Sequence, residues 1–464
     1  MTRTAIESND PATGRRGPTF EALDDAGLEV KLARAARAFD SWSRAPLAAR
    51  TAVLARAADL FAAEAPALGR LATVEMGKLL AAGQQEAEKC ADGCRYYADR
   101  AAVFLRSEVV VAGDGESGEV RFEPLGALLA VMPWNYPFWQ VVRFAAPALA
   151  AGNVALLKHA SNVPRCALAL EDVFLRAGAP AGVFQTLLVG SERVAGIVAD
   201  ARVAAVSLTG SEDAGRRVAA LAGQHLKKTV LELGGSDPFL VLASADVDRA
   251  VATAVRARIV NNGQSCIAAK RFIAVDAVYD RFAAGFASAM AALRVGDPSD
   301  AATQLGPLAT SAIRETLATQ VERSVAAGAR LVTGGRKLDG PGFFYAPTVL
   351  ADVPRDAPAF HEELFGPVAT LFRARDTDDA LAVANASAFG LAASVWTRDR
   401  AEAERCAREL ETGTVFVNEM VASDSRFPFG GVKASGHGRE LAGFGLREFV
   451  NVKTVRTFGL GDGL

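Results

Sequence analysis

Ala127-Leu128-Leu129-Ala130-Val131-Met132, running straight into Pro133-Trp134-Asn135-Tyr136-Pro137, is a short apolar run closed by a proline-bounded turn. Such a run, bounded by turn residues, fits a strand buried on both faces. Between Leu125 and Leu233 similar runs recur at Val154 to Leu157, Val183 to Val189, Val203 to Leu208 and Thr229 to Leu233, with helical stretches after Pro164 and after Asp213. Strand, helix, strand in repetition predicts a parallel sheet covered by helices on both faces, a Rossmann-like half. A second alternating region runs from Pro238 to about Arg439, with strands near Phe239 to Leu242, Arg271 to Val275, Val368 to Phe372, Leu391 to Trp396 and Thr414 to Asn418. It predicts a second α/β domain.

Outward from this centre, residues 28 to 105 carry apolar side chains at helical spacing, broken at Pro46, Pro66 and Met76-Gly77-Lys78, and predict several amphipathic helices. Ser107 to Phe122 reads as a projecting hairpin, its turn between Gly113 and Gly118. The tail Phe449 to Val455 alternates like an edge strand and is expected to pair with the hairpin of another subunit. The expected division is therefore 1–106 with 124–234 as a nucleotide-binding domain, 235–440 as a catalytic domain, and 107–123 with 441–464 as a β extension for oligomerisation. A homodimer or homotetramer follows from that extension.

With 464 residues the chain exceeds what one hydrophobic core serves, in keeping with two domains. Its 51 basic and 53 acidic side chains nearly balance, so no nucleic-acid partner is indicated. Met1 to Asp10 lack an apolar segment and no later run is long enough to cross a bilayer, so a cytoplasmic protein without membrane contact is expected. Five cysteines, an odd number without any Cys-x-x-Cys pair, suit free thiols in a reducing compartment. His159, His225, His361 and His437 lie far apart, and no metal site is expected.

Chemistry concentrates at three places. Asn261-Asn262-Gly263-Gln264-Ser265-Cys266 is a polar turn that ends in a thiol, between a helical run and the strand from Arg271. Glu232 closes a strand and precedes Gly234-Gly235, at a strand's carboxyl end where ligands bind in open α/β sheets. A thiolate attacks a carbonyl, and a carboxylate with a raised pKa activates water, so Cys266 and Glu232 are a candidate nucleophile and general base. Asn135, a neutral amide after the strand from Ala127, suits an oxyanion donor. Thr209-Gly210-Ser211-Glu212-Asp213-Ala214-Gly215 joins a strand to a helix with Ser211 as N-cap, a start suited to a pyrophosphate.

The order and spacing of Pro133 to Pro137, Lys158, Leu208 to Ser211, Glu232 to Gly235, Gly263 to Cys266, Glu362-Glu363-Leu364-Phe365-Gly366-Pro367 and Pro428 to Gly431 resemble the aldehyde dehydrogenase superfamily. The resemblance runs from about Asp10 to Val455, and within it the stretches Leu157 to Asn162, Glu232 to Phe239 and Phe427 to Lys433 are most similar to bacterial succinate-semialdehyde dehydrogenases. It implies an aldehyde dehydrogenase-like α/β fold and oxidation of a small aldehyde with NAD or NADP. It implies that Cys266 adds to the aldehyde, that Asn135 and the Cys266 amide hold the oxyanion, and that Glu232 activates the hydrolytic water. Lys158, Ser161, Trp134, Gly210, Ser211, Gly215, Leu233, Glu363 and Phe365 are the implied cofactor residues. Ser161 stands where many NAD-preferring relatives carry a glutamate, which leaves NADP open. Phe144 stands where many relatives carry a proton-relay lysine, while the glutamate of that relay is kept as Glu440.

For the substrate, Arg143 matches the arginine that grips the far carboxylate of succinate semialdehyde, its alternative being an arginine paired with a local acid. Tyr136, Trp139 and Phe427 are expected as aromatic walls, with Ser265 and Ser425 beside them. Glutarate semialdehyde or a neutral aldehyde is the second choice of substrate, and a non-catalytic nucleotide-binding protein the competing class.

Overall fold

The computed structural model describes residues 5–113 and 116–459. Residues 1–4, the tip of the expected hairpin at 114–115 and the last part of the expected β extension, 460–464, lie outside the described residues.

The first sheet has six strands in the spatial order Gly436–His437, Lys228–Glu232, Val203–Thr209, Ala127–Met132, Val154–His159 and Phe184–Thr186. All neighbours are parallel except Gly436–His437, which adds antiparallel to Lys228–Glu232. The chain runs outward one way from Ala127–Met132, then returns to start the other way at Val203–Thr209. Between the carboxyl ends of those two strands the order reverses, and such a switch point opens a crevice for a ligand. Trp139–Ala151, Pro164–Arg176 and Glu212–Gln224 are the covering helices.

Four helices come before this sheet: Asp25–Trp42, Leu47–Ala63, Ala65–Met76 and Leu80–Phe104. Their apolar faces join the first sheet in one continuous core that includes Leu54, Phe61, Tyr97, Leu129 and Leu156. Gly77 ends the third helix at φ 77°, a left-handed cap that favours glycine.

The second sheet has seven strands, ordered Arg330–Thr333, Thr348–Ala351, Val368–Ala374, Arg271–Val275, Pro238–Val241, Ala392–Trp396 and Thr414–Val417. Only the edge strand Arg330–Thr333 runs antiparallel. Alternation along Pro238–Val241 sends Phe239 and Val241 into one core and Leu240 into the other, as a strand covered on both faces requires.

A three-stranded sheet stands apart, with Glu116–Pro124 between Glu108–Gly113 and Val450–Phe458. The tail pairs here with the hairpin of its own chain, from Val450 opposite Pro124 to Phe458 opposite Glu116, and not with that of another subunit as expected. The preceding helix Ala442–Glu448 explains the correction. The Tyr97 hydroxyl donates to Ala442 O at 3.2 Å and Arg447 Nε to Phe104 O at 3.0 Å, which delivers Val450 to the hairpin's base. Val109 and Val110 of the outer strand remain exposed.

Candidate active site

The crevice at the switch point is a cavity of about 250 Å³. Pro133, Trp134 and Asn135 enter it from the end of Ala127–Met132, and Thr209, Gly210 and Ser211 from the end of Val203–Thr209. Leu233 and Gly234 follow the next strand, while Cys266, Glu363 and Phe365 come from the second domain. Of the residues singled out in the sequence, eight therefore share one cavity: Trp134, Asn135, Gly210, Ser211, Leu233, Cys266, Glu363 and Phe365. Thr209 and Gly234 of the quoted motifs also line it, with Gln140 and Ile313, which were not singled out; for Gln140 the only signal was its place five residues after Asn135.

The loop that carries the thiol is held on every side. Asn261, Asn262 and Gly263 have φ of 55°, 59° and 74°, three successive left-handed residues that turn the chain sharply before Cys266. Asn262 Nδ2 donates to Gly77 O at 2.8 Å, and Gln264 Oε1 accepts from Ala309 N at 2.9 Å. Asn135 Nδ2 donates to Gln264 O at 3.0 Å, while Asn261 Nδ2 donates to Asn135 O at 2.7 Å, so the candidate oxyanion donor is tied to the nucleophile's own loop. Lys270 Nζ donates to the carbonyls of Ser265 and Cys266, each at 2.8 Å. Lys270, four residues after Cys266 and next to Arg271, was not singled out in the sequence. Burial and the charge of Glu232 raise the Cys266 thiol far above its usual range, so it is protonated in this state.

Glu232 is buried at the end of its strand, and its Oε2 accepts from Arg143 Nη2 at 3.0 Å. The same guanidinium forms an ion pair with Glu440 and lies 4.9 Å from the Phe429 ring centre. Arg143 is itself buried among these groups. Its Nη2 and Nε thus face two local carboxylates, the arrangement of an arginine paired with local acids. Phe144, at the lysine position of many relatives, turns into the core and packs edge-on against Phe449 at 5.6 Å. Arg143 spans Glu232 and Glu440 instead, but a guanidinium does not release its proton, so it links the two acids electrostatically and relays nothing. Burial, opposed by Arg143, raises Glu232 to about 8, with the nearby Glu440 adding to the rise.

On the cofactor side the backbone makes room. A Cβ on Gly234 would stand 2.7 Å from a Glu363 carboxylate oxygen, one on Gly235 2.6 Å from Cys266 O, and one on Gly215 2.5 Å from the Leu233 side chain. Gly215 thus serves close packing of helix on strand, while Gly234 and Gly235 let the turn pass close against Glu363 and the Cys266 carbonyl. Glu363 accepts from Gly235 N and pairs with Lys270, both at 3.1 Å. Ser211 caps the helix Glu212–Gln224, and Trp134 meets Phe365 edge-on at 5.7 Å. A switch-point crevice with a helix start and a seated carboxylate fits a dinucleotide. Lys158, next to His159 on the strand Val154–His159, and the exposed Ser161 just beyond that strand's carboxyl end stand outside the cavity's lining.

The expected substrate residues divide into two groups. Tyr136 lies beside Ser265, with Lys78 Nζ 4.0 Å from its ring centre. Ser425 and Phe427 line a second, wider cavity of about 640 Å³ between the helix Leu80–Phe104 and the segment 422–427. Trp139 joins the groups, since its Nε1 donates to Ser423 Oγ at 3.0 Å in that second cavity's wall. Among the described residues no cluster of side chains suited to a metal ion is present, and no helix is long and apolar enough to cross a membrane.

A model of the Aldehyde dehydrogenase family matches residues 1–455, and the chain belongs to that family. Within it, the chain is 53% identical to succinate-semialdehyde dehydrogenase [NADP(+)] 1 of Mycobacterium ulcerans (strain Agy99), a match over 97% of this chain and 99% of the relative. It is 54% identical to the protein of the same name from Mycobacterium tuberculosis (strain ATCC 25618 / H37Rv), with the same coverage. Among solved structures it superposes on succinic semialdehyde dehydrogenase from Streptococcus pyogenes in complex with NADP+ with a TM-score of 0.95, at 37% identity over 97% of this chain and 99% of that one.

Proposed function

We propose that this protein oxidises succinate semialdehyde to succinate with NADP+ as hydride acceptor. The observation that carries the reading is its identity of 53–54%, over nearly the whole length, to relatives named for that reaction and cofactor. The choice of NADP over NAD agrees with Ser161, which places no carboxylate where a 2′-phosphate would be repelled.

In this reading Cys266 is the nucleophile. Its thiol must lose a proton to solvent before sulfur adds to the carbonyl, which leaves Glu232, raised to about 8, available as the base for the later hydrolysis. Asn135 Nδ2 carries two hydrogens, one donated to Gln264 O, and the other is free to hold the oxyanion that forms when sulfur adds to the carbonyl. Trp134, Gly210, Ser211, Glu363 and Phe365 would hold the dinucleotide, with Lys158 and Ser161 at its adenosine end. When bound, its nicotinamide supplies the acceptor for the aldehyde's hydride. Glu232 then takes a proton from the water that cleaves the Cys266 thioester, and succinate leaves. Arg143 keeps Glu232 and Glu440 in one buried charge cluster throughout.

The division into nucleotide-binding, catalytic and β-extension parts, a homodimer or dimer of dimers through that extension, and a cytoplasmic location complete the proposal. Initial rates with succinate semialdehyde, glutarate semialdehyde and butanal, each with NADP+ and NAD+, test it. Succinate semialdehyde with NADP+ is expected to lead in kcat/KM; a lead for butanal or for NAD+ withdraws the corresponding part.

A further inference from the structure

Lys270 is fully buried, one residue before the strand Arg271–Val275. Its Nζ donates to Ser265 O and Cys266 O, each at 2.8 Å, and meets Glu363 Oε1 at 3.1 Å, so all three ammonium hydrogens have an acceptor. Glu363 in turn lines the cavity of Cys266 and accepts from Gly235 N, in the turn that follows Glu232. One ammonium therefore joins the backbone of the nucleophile to the carboxylate assigned to the dinucleotide. Arg258 and Asp237 also act on Lys270, but burial pushes the Asp237 carboxyl up to about 8, and among the described residues Glu363 is the carboxylate at ion-pair distance. Glu363 is thus the counter-ion.

The turn does not need a charge to hold it. Neutral amides already do so, Asn261 Nδ2 on Asn135 O at 2.7 Å and Asn262 Nδ2 on Gly77 O at 2.8 Å. Burying an ammonium costs several kcal/mol even where it is paired, so a lysine at this place is explained by its charge and not by its hydrogen bonds alone. Burial raises the Cys266 thiol most and Glu232 and Glu363 add to the rise, while Arg143 and Lys270 oppose it. Arg143 is shared between Glu232 and Glu440, whereas Lys270 touches the nucleophile's own carbonyl. We infer that Lys270 is a positioning residue that holds the Cys266 turn and stabilises the thiolate once the proton has gone to solvent, with Glu363 as the counterweight that sets how much of the ammonium's charge the sulfur receives. The inference rests on the reading of Cys266 as nucleophile and Glu363 as a dinucleotide residue given above.

The test uses the full-length protein and three variants: Lys270→Met, which removes the charge; Lys270→Arg, which keeps it; and Glu363→Gln, which leaves Lys270 an acceptor but takes away the opposing charge. The rate at which neutral iodoacetamide alkylates Cys266, located by peptide mass, is measured at one fixed pH without dinucleotide. Loss of a nearby opposite charge predicts a rate lower by roughly tenfold in Lys270→Met, and loss of a nearby like charge a rate higher by roughly tenfold in Glu363→Gln, with Lys270→Arg close to wild type. In Lys270→Met, kcat/KM for succinate semialdehyde is expected to fall with the alkylation rate. A lysine that is only a brace gives another pattern: Lys270→Met and Glu363→Gln break the same ion pair and move the rate the same way. That result overturns the inference, and so does an unchanged rate in Lys270→Met. Should Lys270→Met fail to fold, Glu363→Gln decides alone, a rate at or below that of wild type being the overturning result. Failure of the underlying reading shows elsewhere, in wild-type protein that is fully alkylated at Cys266 and still oxidises the semialdehyde.

Discussion

Glu232 carries the pH dependence expected of the reaction. Its pKa, raised to about 8 by burial and by the charge of Glu440, is that of an acid whose neutral form is useless as a base. Hydrolysis of the thioester is therefore expected to rise by about tenfold per pH unit below that value and to level off above it. Removing Arg143 takes away the opposing cation, so Arg143→Met moves the limb to higher pH, measurable as kcat against pH. Glu232→Gln removes the base: a burst of reduced cofactor near one equivalent per thiol is expected, then turnover lower by about 10²- to 10⁴-fold, and a linear time course without a burst would refute the role. Cys266, Asn135 and Glu232 were legible in the sequence because each follows an identifiable strand or turn. The partners of Arg143 were not, since Glu440 lies almost three hundred residues further on and local spacing does not say which acid folds back.

Segments that hold the site in place make separate predictions. A Cβ on Gly263 would lie 2.4 Å from the Gly366 backbone, at a φ of 74° that strains other residues. Gly263→Ala is expected to push the Cys266 turn away from the Glu363 segment, lowering stability by about 1–3 kcal/mol and activity by more than cofactor affinity. Thermal melting and steady-state kinetics on one preparation separate the two effects. The helix Trp139–Ala151 has no cap from its own chain neighbours; Glu86 supplies it from a distant helix, accepting from Phe138 N at 2.8 Å and Trp139 N at 2.9 Å. Glu86→Ala also strands the buried Lys78, so a loss of about 3–5 kcal/mol is expected in denaturant unfolding. The strands of both sheets were legible as apolar runs, with ends shifted by a residue or two. Val183 to Val189 shrinks to Phe184–Thr186 because only its middle reaches a partner. Arg330–Thr333 and Thr348–Ala351 were unread: each has four residues, too few for alternation to declare itself.

At the scale of the molecule, the strand Glu108–Gly113 has no partner strand on its outer side among the described residues, and Val109 and Val110 are each about 70% accessible. A bare apolar edge strand invites another chain, and burial of these valines in an oligomer is the expected outcome. Light scattering should give an integral multiple of the chain mass, and Val109→Lys with Val110→Lys should shift it to a smaller species; an unchanged mass would place the contact elsewhere. The two-domain architecture was legible from the alternation of strands and helices. The tail's choice of its own hairpin was not, because an edge strand reads the same whichever chain completes it. That choice has a bearing on biosynthesis. Arg456 and Glu116 pair across 340 residues of chain, so at ordinary ribosomal speed the hairpin waits roughly 20–70 s for the strand that completes it. The inner edge of the hairpin, along Glu116–Pro124, therefore stays open until translation has delivered the carboxyl end of the same chain.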